Sequence, residues 1–278
     1  MKKLLLSTLV VSLSLFSCKE EATSPVVEEC PKVKIMLEHQ FNGEPLDFDT
    51  KYVNANGDTL QISELKYFLS NLIFVDNHGN EQKVADSYYL VEQGEESNIK
   101  VLEIEGLEEG TYSSFKLSVG VDSVSNHSVA AATGDLDPNG ADQMIWAWNT
   151  GYKFIRCEGD YASAVDNSSG SFVYHVGGDA NFKTFHIGNA VHDEHEMHED
   201  ERLAEDGGDL FISLEKGKIT QIHLVVNLAE LFVSPNQINV KEIENAAGEN
   251  ASLLMDNISH SMEEEYNGWF ELHHIQTN

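Results

Sequence analysis

Hydrophobic residues alternate with polar ones in short runs, and turn dipeptides separate the runs. Residues 33–39 show this alternation, and Asn42-Gly43 then turns the chain. A period of two is typical of β-strands with one buried face. Further strands are predicted at residues 88–92, 113–121, 152–157, 171–176, 183–187, 209–214, 219–226 and 268–275.

Two short helices interrupt the predicted strands. One covers residues 63–69, where Ser63-Glu64 is similar to a capped helix start, and the other covers residues 228–232. Short strands at this spacing predict an all-β fold, a β-sandwich with long inserted loops and a few short helices. The insertions are residues 122–142 and 189–208, which are long enough to be functional or disordered.

The N-terminus has the pattern of an export signal. Lys2 and Lys3 precede an apolar run over residues 4–16 that is too short to span a bilayer as a mature helix. The run ends in Ser17-Cys18, which resembles a lipobox. We therefore expect a lipoprotein signal peptide at residues 1–17, with Cys18 lipidated and anchored in the membrane of the cell envelope; the alternative is an ordinary signal peptide with an incidental cysteine.

The anchor would be followed by a polar tether and one domain. Residues 18–31 are acidic, contain two prolines and show no periodicity, so they predict a flexible tether, with the β-sandwich at residues 32–278. The expected location is the outer membrane, facing the periplasm or the cell surface.

Charge narrows the range of partners. The chain has 17 Lys and Arg against 47 Asp and Glu, a net charge of −30, which excludes nucleic acid and favours cations. With Cys18 assigned to lipid, Cys30 and Cys157 remain, and the sequence leaves open whether they form one disulfide.

The most distinctive chemistry lies between residues 120 and 177. Trp146 and Trp148 flank one alanine, with Asn126-His127 upstream and Tyr174-His175 downstream. Taken alone, the two tryptophans are interpreted as an aromatic pair that packs on one face of a sheet.

This region resembles the MbnP/MopE/CorA-like family of copper-binding proteins. The resemblance rests on a Gly-Val pair before Asn126-His127, a Met-x-Trp-x-Trp-x-x-Gly-Tyr-Lys-Phe block at residues 144–154, and a Tyr-His-x-Gly strand around His175. It implies a β-sandwich that binds copper through imidazoles and a kynurenine made by oxidising tryptophan.

Carried onto this sequence, the resemblance implies His127 and His175 as copper ligands and Trp146 or Trp148 as the oxidised residue. His39 is a third imidazole candidate. Indole offers a metal no in-plane lone pair, whereas ring opening produces an amine that can ligate. The modification implies an oxidising partner, a dihaem peroxidase-like enzyme.

Two weaker metal motifs follow from the residues themselves. His192, His195 and His198 lie in an acidic run and would collect metal loosely, or form a solvated loop. Oxygen ligands at alternate positions suggest the start of a calcium loop, although a Pro-Asn-Gly turn is the alternative. The residues of this calcium motif are Asp135, Asp137, Asn139 and Asp142.

The sequence thus predicts a lipid-anchored copper-binding protein that captures or handles metal and is not an enzyme. One rival is a surface lipoprotein that binds a glycan or a protein through its aromatic loops. Another is an enzyme with a copper redox centre.

Overall fold

The computed structural model describes residues 30–94, 97–141, 143–147, 151–188, 211–260 and 269–278. These residues form mainly β-strands, as predicted. The strands are β1 (Lys32–Phe41), β2 (Glu44–Pro45), β3 (Tyr52–Val53), β4 (Thr59–Asp76), β5 (Glu81–Lys83), β6 (Tyr88–Glu92), β7 (Ile99–Ile104), β8 (Gly110–Val119), β9 (Lys153–Ala162), β10 (Ser169–Gly177), β11 (Lys183–Gly188), β12 (Ile212–Leu214), β13 (Ile219–Asn227), β14 (Asn245–Ala246) and β15 (Phe270–Thr277).

Helical segments are few in the described residues. The α-helices are α1 (Ser123–Asn126) and α2 (Glu249–His260), and 3₁₀ turns lie at Val129–Ala131, Gly134–Leu136, Asp179–Asn181 and Leu228–Phe232. The last of these confirms the helical prediction for residues 228–232. No described helix has the length and apolar character needed to cross a membrane.

The smaller sheet has β1 near its centre. Its strand order is β15-β13-β1-β2, and β7 also pairs with β1. β1 runs parallel to β13, with Lys32 opposite Ile219, and antiparallel to β7. Asn42 and Gly43 both have positive φ, as the predicted hairpin turn between β1 and β2 requires.

The larger sheet is organised around β4. Its order is β11-β8-β4-β9-β10-β14, with β12 on β8 and with β3, β5 and β6 paired to β4. The predicted helix at residues 63–69 is wrong, because this segment lies inside β4. Every side chain from Leu65 to Leu69 is buried, including that of Lys66, so this part of β4 lacks the alternation of a half-buried strand.

The main core fills the space between the two sheets. Aromatic rings meet there, with Tyr67 of β4 4.8 Å from Trp269 and Phe185 of β11 5.0 Å from Phe270 of β15, measured between ring centroids. α2 closes one side with a buried apolar stripe. That stripe comprises Ala251, Leu254, Met255 and Ile258.

A second, smaller core lies on the other face of β4. Phe68 points into it, whereas its neighbours Tyr67 and Leu69 point into the main core, as the alternation of a strand requires. Phe68 packs edge-to-face on Tyr152 at 5.4 Å between ring centroids. The long insertion after β8 covers this core, which therefore supports the candidate site.

Candidate metal centre

Trp146 lies in a short hairpin that precedes β9. Ile145 pairs with Tyr152 across the hairpin, and the indole Nε1 of Trp146 donates to the carbonyl oxygen of Tyr152 at 3.2 Å. The indole also lies over the backbone of Gly177 at the end of β10. A Cβ at Gly177 would come within 2.8 Å of Trp146 Nε1, so glycine is needed for this close approach.

His175 lies on β10 beside Trp146. The two ring centroids are 6.1 Å apart in an edge-to-face arrangement. Nε2 of His175 contacts Oε1 of Glu158, on the neighbouring strand β9, at 2.7 Å. Burial lowers the pKa of His175 more than the hydrogen bond to Glu158 raises it, so the ring is neutral near pH 7. A neutral imidazole is the form that binds a metal.

His127 is positioned by helix α1. The side chain of Asp122 caps the start of α1 by accepting from the backbone N–H groups of Val124 and Ser125, and His127 ends the helix. Nε2 of His127 then contacts Oδ2 of Asp179 at 3.0 Å. Asp179 begins the turn that follows β10, so His127 is held against the end of the strand that carries His175.

The side chain of Asp179 is a carboxylate whose pKa is lowered by its neighbours. Hydrogen bonds from Ser123 and Asn126 lower its pKa, desolvation opposes them, and the contact with His127 lowers the pKa further, to about 2. The carboxylate is therefore ionised across the physiological range and can orient the imidazole of His127.

Asn126 joins these elements into one unit. This residue is 3% exposed, its Nδ2 donates to Oδ1 of Asp179 at 2.8 Å, and its Oδ1 accepts from the backbone N–H of Tyr152 at 2.8 Å. The loop of His127, the hairpin of Trp146 and the end of β10 are thereby connected. We call this unit, comprising Asn126, His127, Trp146, His175 and Asp179, the Trp146 corner.

The two histidines of the Trp146 corner are held in the same way. Each uses Nε2 for a carboxylate, and within the described residues Nδ1 of neither ring makes a hydrogen bond. In metal sites the second nitrogen of a ligating histidine typically contacts a carboxylate, which fixes the ring and its tautomer. The imidazole donors present at this corner therefore fit copper.

Lys153 brings a positive charge to the same corner. Its Nζ lies 5.4 Å from the centroid of the Trp146 ring and donates to the carbonyl oxygen of Gln143 at 2.6 Å. The ammonium over the indole face is a cation–π contact that helps to fix the ring.

The structure places the other candidates outside this corner or outside the described residues. Trp148, Asp142, Cys18 and the histidines at 192, 195 and 198 lie outside the described residues. His39 faces the main core, where Nδ1 contacts the carbonyl oxygen of Asn98 at 3.2 Å and Nε2 contacts the hydroxyl of Tyr67 at 3.0 Å. Both nitrogens of His39 are thus used by the protein, as in a structural core histidine.

The residues of the calcium motif make turn contacts. Oδ2 of Asp135 accepts from the backbone N–H of Leu90 at 2.8 Å, and Oδ1 of Asp137 accepts from the backbone N–H of Asn139 at 2.8 Å. The bond of Asp137 is of the kind expected for a Pro-Asn-Gly turn, the alternative interpretation, whereas the bond of Asp135 attaches the insertion to β6.

The two cysteines are free thiols, so the disulfide left open by the sequence is not formed. Cys30 is exposed at the start of β1, whereas Cys157 is buried in the main core on β9. Burial raises the pKa of the Cys157 thiol well above its usual value. Cys157 is therefore an unreactive core residue.

One further cluster was missed in the sequence. His223 of β13 and His273 and His274 of β15 have ligand atoms that all lie within 4.8 Å of one another. The adjacent His273-His274 pair was the available signal, but neighbours in a regular strand point to opposite faces.

Comparison with known proteins identifies the family of the chain. A solved structure, MbnP from Methylosinus trichosporium, matches with a TM-score of 0.45 and 16% identity over 78% of this chain and 80% of that chain. None of the curated proteins compared with the chain matches it. A protein-family model described as MbnP matches residues 31–255, most of the chain. The chain therefore belongs to the MbnP family, a family of binding proteins linked to copper handling.

Proposed function

We propose that this protein captures copper at the Trp146 corner and acts as a non-catalytic copper-handling protein of the cell envelope. The observation that carries the proposal is the pair of carboxylate-backed histidines, His127 on Asp179 and His175 on Glu158, joined to the Trp146 hairpin through Asn126. Copper is the cargo, and Nδ1 of each imidazole is the atom proposed to bind it.

The third ligand in this proposal is a kynurenine made from Trp146, with Trp148 as the alternative. Trp146 is preferred because its ring contacts His175. Dioxygen, activated by a dihaem peroxidase-like partner, adds one oxygen atom to C2 and one to C3 of the indole and breaks the bond between them. Water then hydrolyses the resulting formyl amide, so that C2 leaves as formate and a ketone and a free aromatic amine remain. Because intact indole has no in-plane lone pair, this conversion creates the ligand, and it adds about 4 Da to the chain.

The copper proposal is tested on protein purified from its native host, where the modification can occur. Copper titration should show that His127→Ala and His175→Ala each weaken binding by about tenfold or more, since each removes a ligand. His186→Ala is the matched control, because His186 is a half-buried strand histidine that contacts Ser114 instead.

Peptide mass mapping of the same sample detects the modification, and fragmentation of the modified peptide assigns it to Trp146 or Trp148. A gain of about 4 Da is expected on the peptide that contains residues 144–153. Unmodified tryptophans together with full copper binding by both histidine variants would contradict the proposal.

Membrane anchoring through Cys18 is part of the proposed function and rests on the lipobox-like sequence that ends at Ser17-Cys18. Cys18→Ala should abolish palmitate labelling and partition into detergent, since the sulfur of Cys18 carries the lipid. Ser17→Ala is the control and should retain labelling. A Cys18→Ala protein that still labels would refute the anchor and leave the copper proposal intact.

A further inference from the structure

A group of three histidines lies on the outer face of the smaller sheet. His223 belongs to β13, and His273 and His274 belong to β15, the edge strand paired with it. Nδ1 of His273 and Nδ1 of His274 are 2.9 Å apart, and the ring of His223 is about perpendicular to both, with centroids 5.1 and 5.0 Å away. We call these three residues the histidine triad.

A β-bulge brings two consecutive histidines together. His223 is opposite His274 and Leu224 is opposite Leu272, so His273 is the extra residue in β15. A bulge re-aims the side chains at that point, and this allows His273 and His274 to meet one partner on the neighbouring strand.

The triad contains a buried nitrogen with no hydrogen bond. His223 is 8% exposed although it points away from the main core, and in the described part of the chain its Nε2 has no hydrogen-bond partner. Oε2 of Glu38 lies 2.9 Å from this nitrogen, a distance that makes an ion pair only when the ring is protonated. A buried polar atom without a partner is costly, so it marks a place where a ligand would be favourable.

The charge around the triad also favours a cation. Oε1 of Glu38 is fixed by the side-chain amide of Gln40 at 3.1 Å, which leaves Oε2 facing His223. This carboxylate therefore places a negative charge beside the three imidazoles, which favours a cation there.

We propose that His223, His273 and His274 form a second metal site that binds one divalent transition-metal ion such as Zn²⁺ or Cu²⁺, with Glu38 as the neighbouring carboxylate. Three imidazoles and an open solvent side are a donor set that both ions accept, and Cu²⁺ binds such ligands more tightly. The triad lies on β13 and β15 of the smaller sheet, whereas His175 of the Trp146 corner lies on β10 of the larger sheet, so the two sites share no residue.

The test is Zn²⁺ titration against a competing chelator. It uses a background chain in which His192, His195 and His198 are changed to Gln, which removes the other histidine-rich segment. We expect one Zn²⁺ per chain, with His273→Ala and His274→Ala each weakening binding about tenfold or more, and Glu38→Gln weakening it less. His78→Ala, an exposed histidine in a hairpin turn, is the control and should leave the affinity unchanged.

Separate arms distinguish this site from the proposed copper site. The double variant His127→Ala, His175→Ala should retain the Zn²⁺ bound by the triad. Equal Zn²⁺ affinity in the background chain and in both the His273→Ala and His274→Ala variants would overturn the proposal. So would Zn²⁺ binding that disappears in the His127→Ala, His175→Ala chain.

Discussion

The Trp146 corner and the histidine triad show two ways to prepare imidazoles for a metal. In the corner each histidine contacts a carboxylate through Nε2, and loops and a strand end hold the rings. In the triad two paired strands hold the rings, and the buried Nε2 of His223 has no hydrogen bond within the described residues. The corner is thus stabilised before a metal arrives, whereas the triad would be completed by one.

His39 is the limiting case in this comparison, because the protein uses both of its nitrogens. The carbonyl oxygen of Asn98 accepts from Nδ1, and the hydroxyl of Tyr67 donates to Nε2. One donor and one acceptor match a neutral ring. The three locations therefore form a series. Both ring nitrogens of His39 have a hydrogen bond, each histidine of the Trp146 corner has one, and the buried Nε2 of His223 in the triad has none within the described residues.

The largest expected effect concerns His39. Burial lowers its pKa from 6.5 to about 4, so the unfolded chain takes up a proton before the folded one. Its contribution is fully present above pH 6.5 and is lost as the pH falls, with a total loss of about 3 kcal/mol at pH 4 and below. Urea unfolding between pH 7 and pH 4 measures this loss, and His39→Gln should remove that part of the slope.

The carboxylates of the chain also contribute to acid unfolding, so the slopes of the two proteins must be compared directly. His186→Gln is the control, since the pKa of this half-buried histidine is lowered less than that of His39. If the free energy of unfolding had the same pH dependence in His39→Gln and in the unchanged chain, His39 would not be a buried neutral histidine.

A smaller effect is expected from Gly177→Ala, which tests the support of the Trp146 corner. The added Cβ would lie 2.7 Å from the carbonyl oxygen of Tyr152 and 2.8 Å from Nε1 of Trp146. One of them must shift, at a cost of about 1–3 kcal/mol in the free energy of unfolding. Copper affinity should fall too, while Zn²⁺ binding by the triad should not change.

Gly94→Ala is the control for this substitution, because a Cβ at Gly94 has no atom within 4 Å. Thermal unfolding and parallel copper and Zn²⁺ titrations give both readouts. If Gly177→Ala lowered copper and Zn²⁺ affinity equally, the two regions would not be independent.

Periodicity predicted the strands well where one face is buried. β1 alternates along its length, and residues 33–39 were predicted from that alternation. The prediction from periodicity failed in β4, where residues 65–70 are all buried because a core lies on each side. Leu65, Phe68 and Leu69 also have helical spacing, so the segment could not be assigned to a strand without knowing what covers its second face.

The Trp146 corner could be predicted in part. The family resemblance pointed to His127, His175 and the tryptophans, but Asp179 and Glu158 carried no signal, since their role depends on how strands and turns meet. The histidine triad could not be predicted from the sequence for a related reason. Its geometry depends on a bulge, and a bulge is a one-residue irregularity in pairing that hydrophobic alternation does not encode.

The position of β1 has a consequence for how the chain reaches its native state. β1 is the first described strand, yet it lies between β7 and β13, and its parallel partner β13 ends at Asn227. A chain that emerges from its N-terminus therefore cannot complete the smaller sheet until most of its length is available. Such distant pairings slow folding, to roughly milliseconds to seconds in β-proteins. We expect the newly synthesised chain to pass through a period in which an edge of β1 is exposed and open to capture by a chaperone.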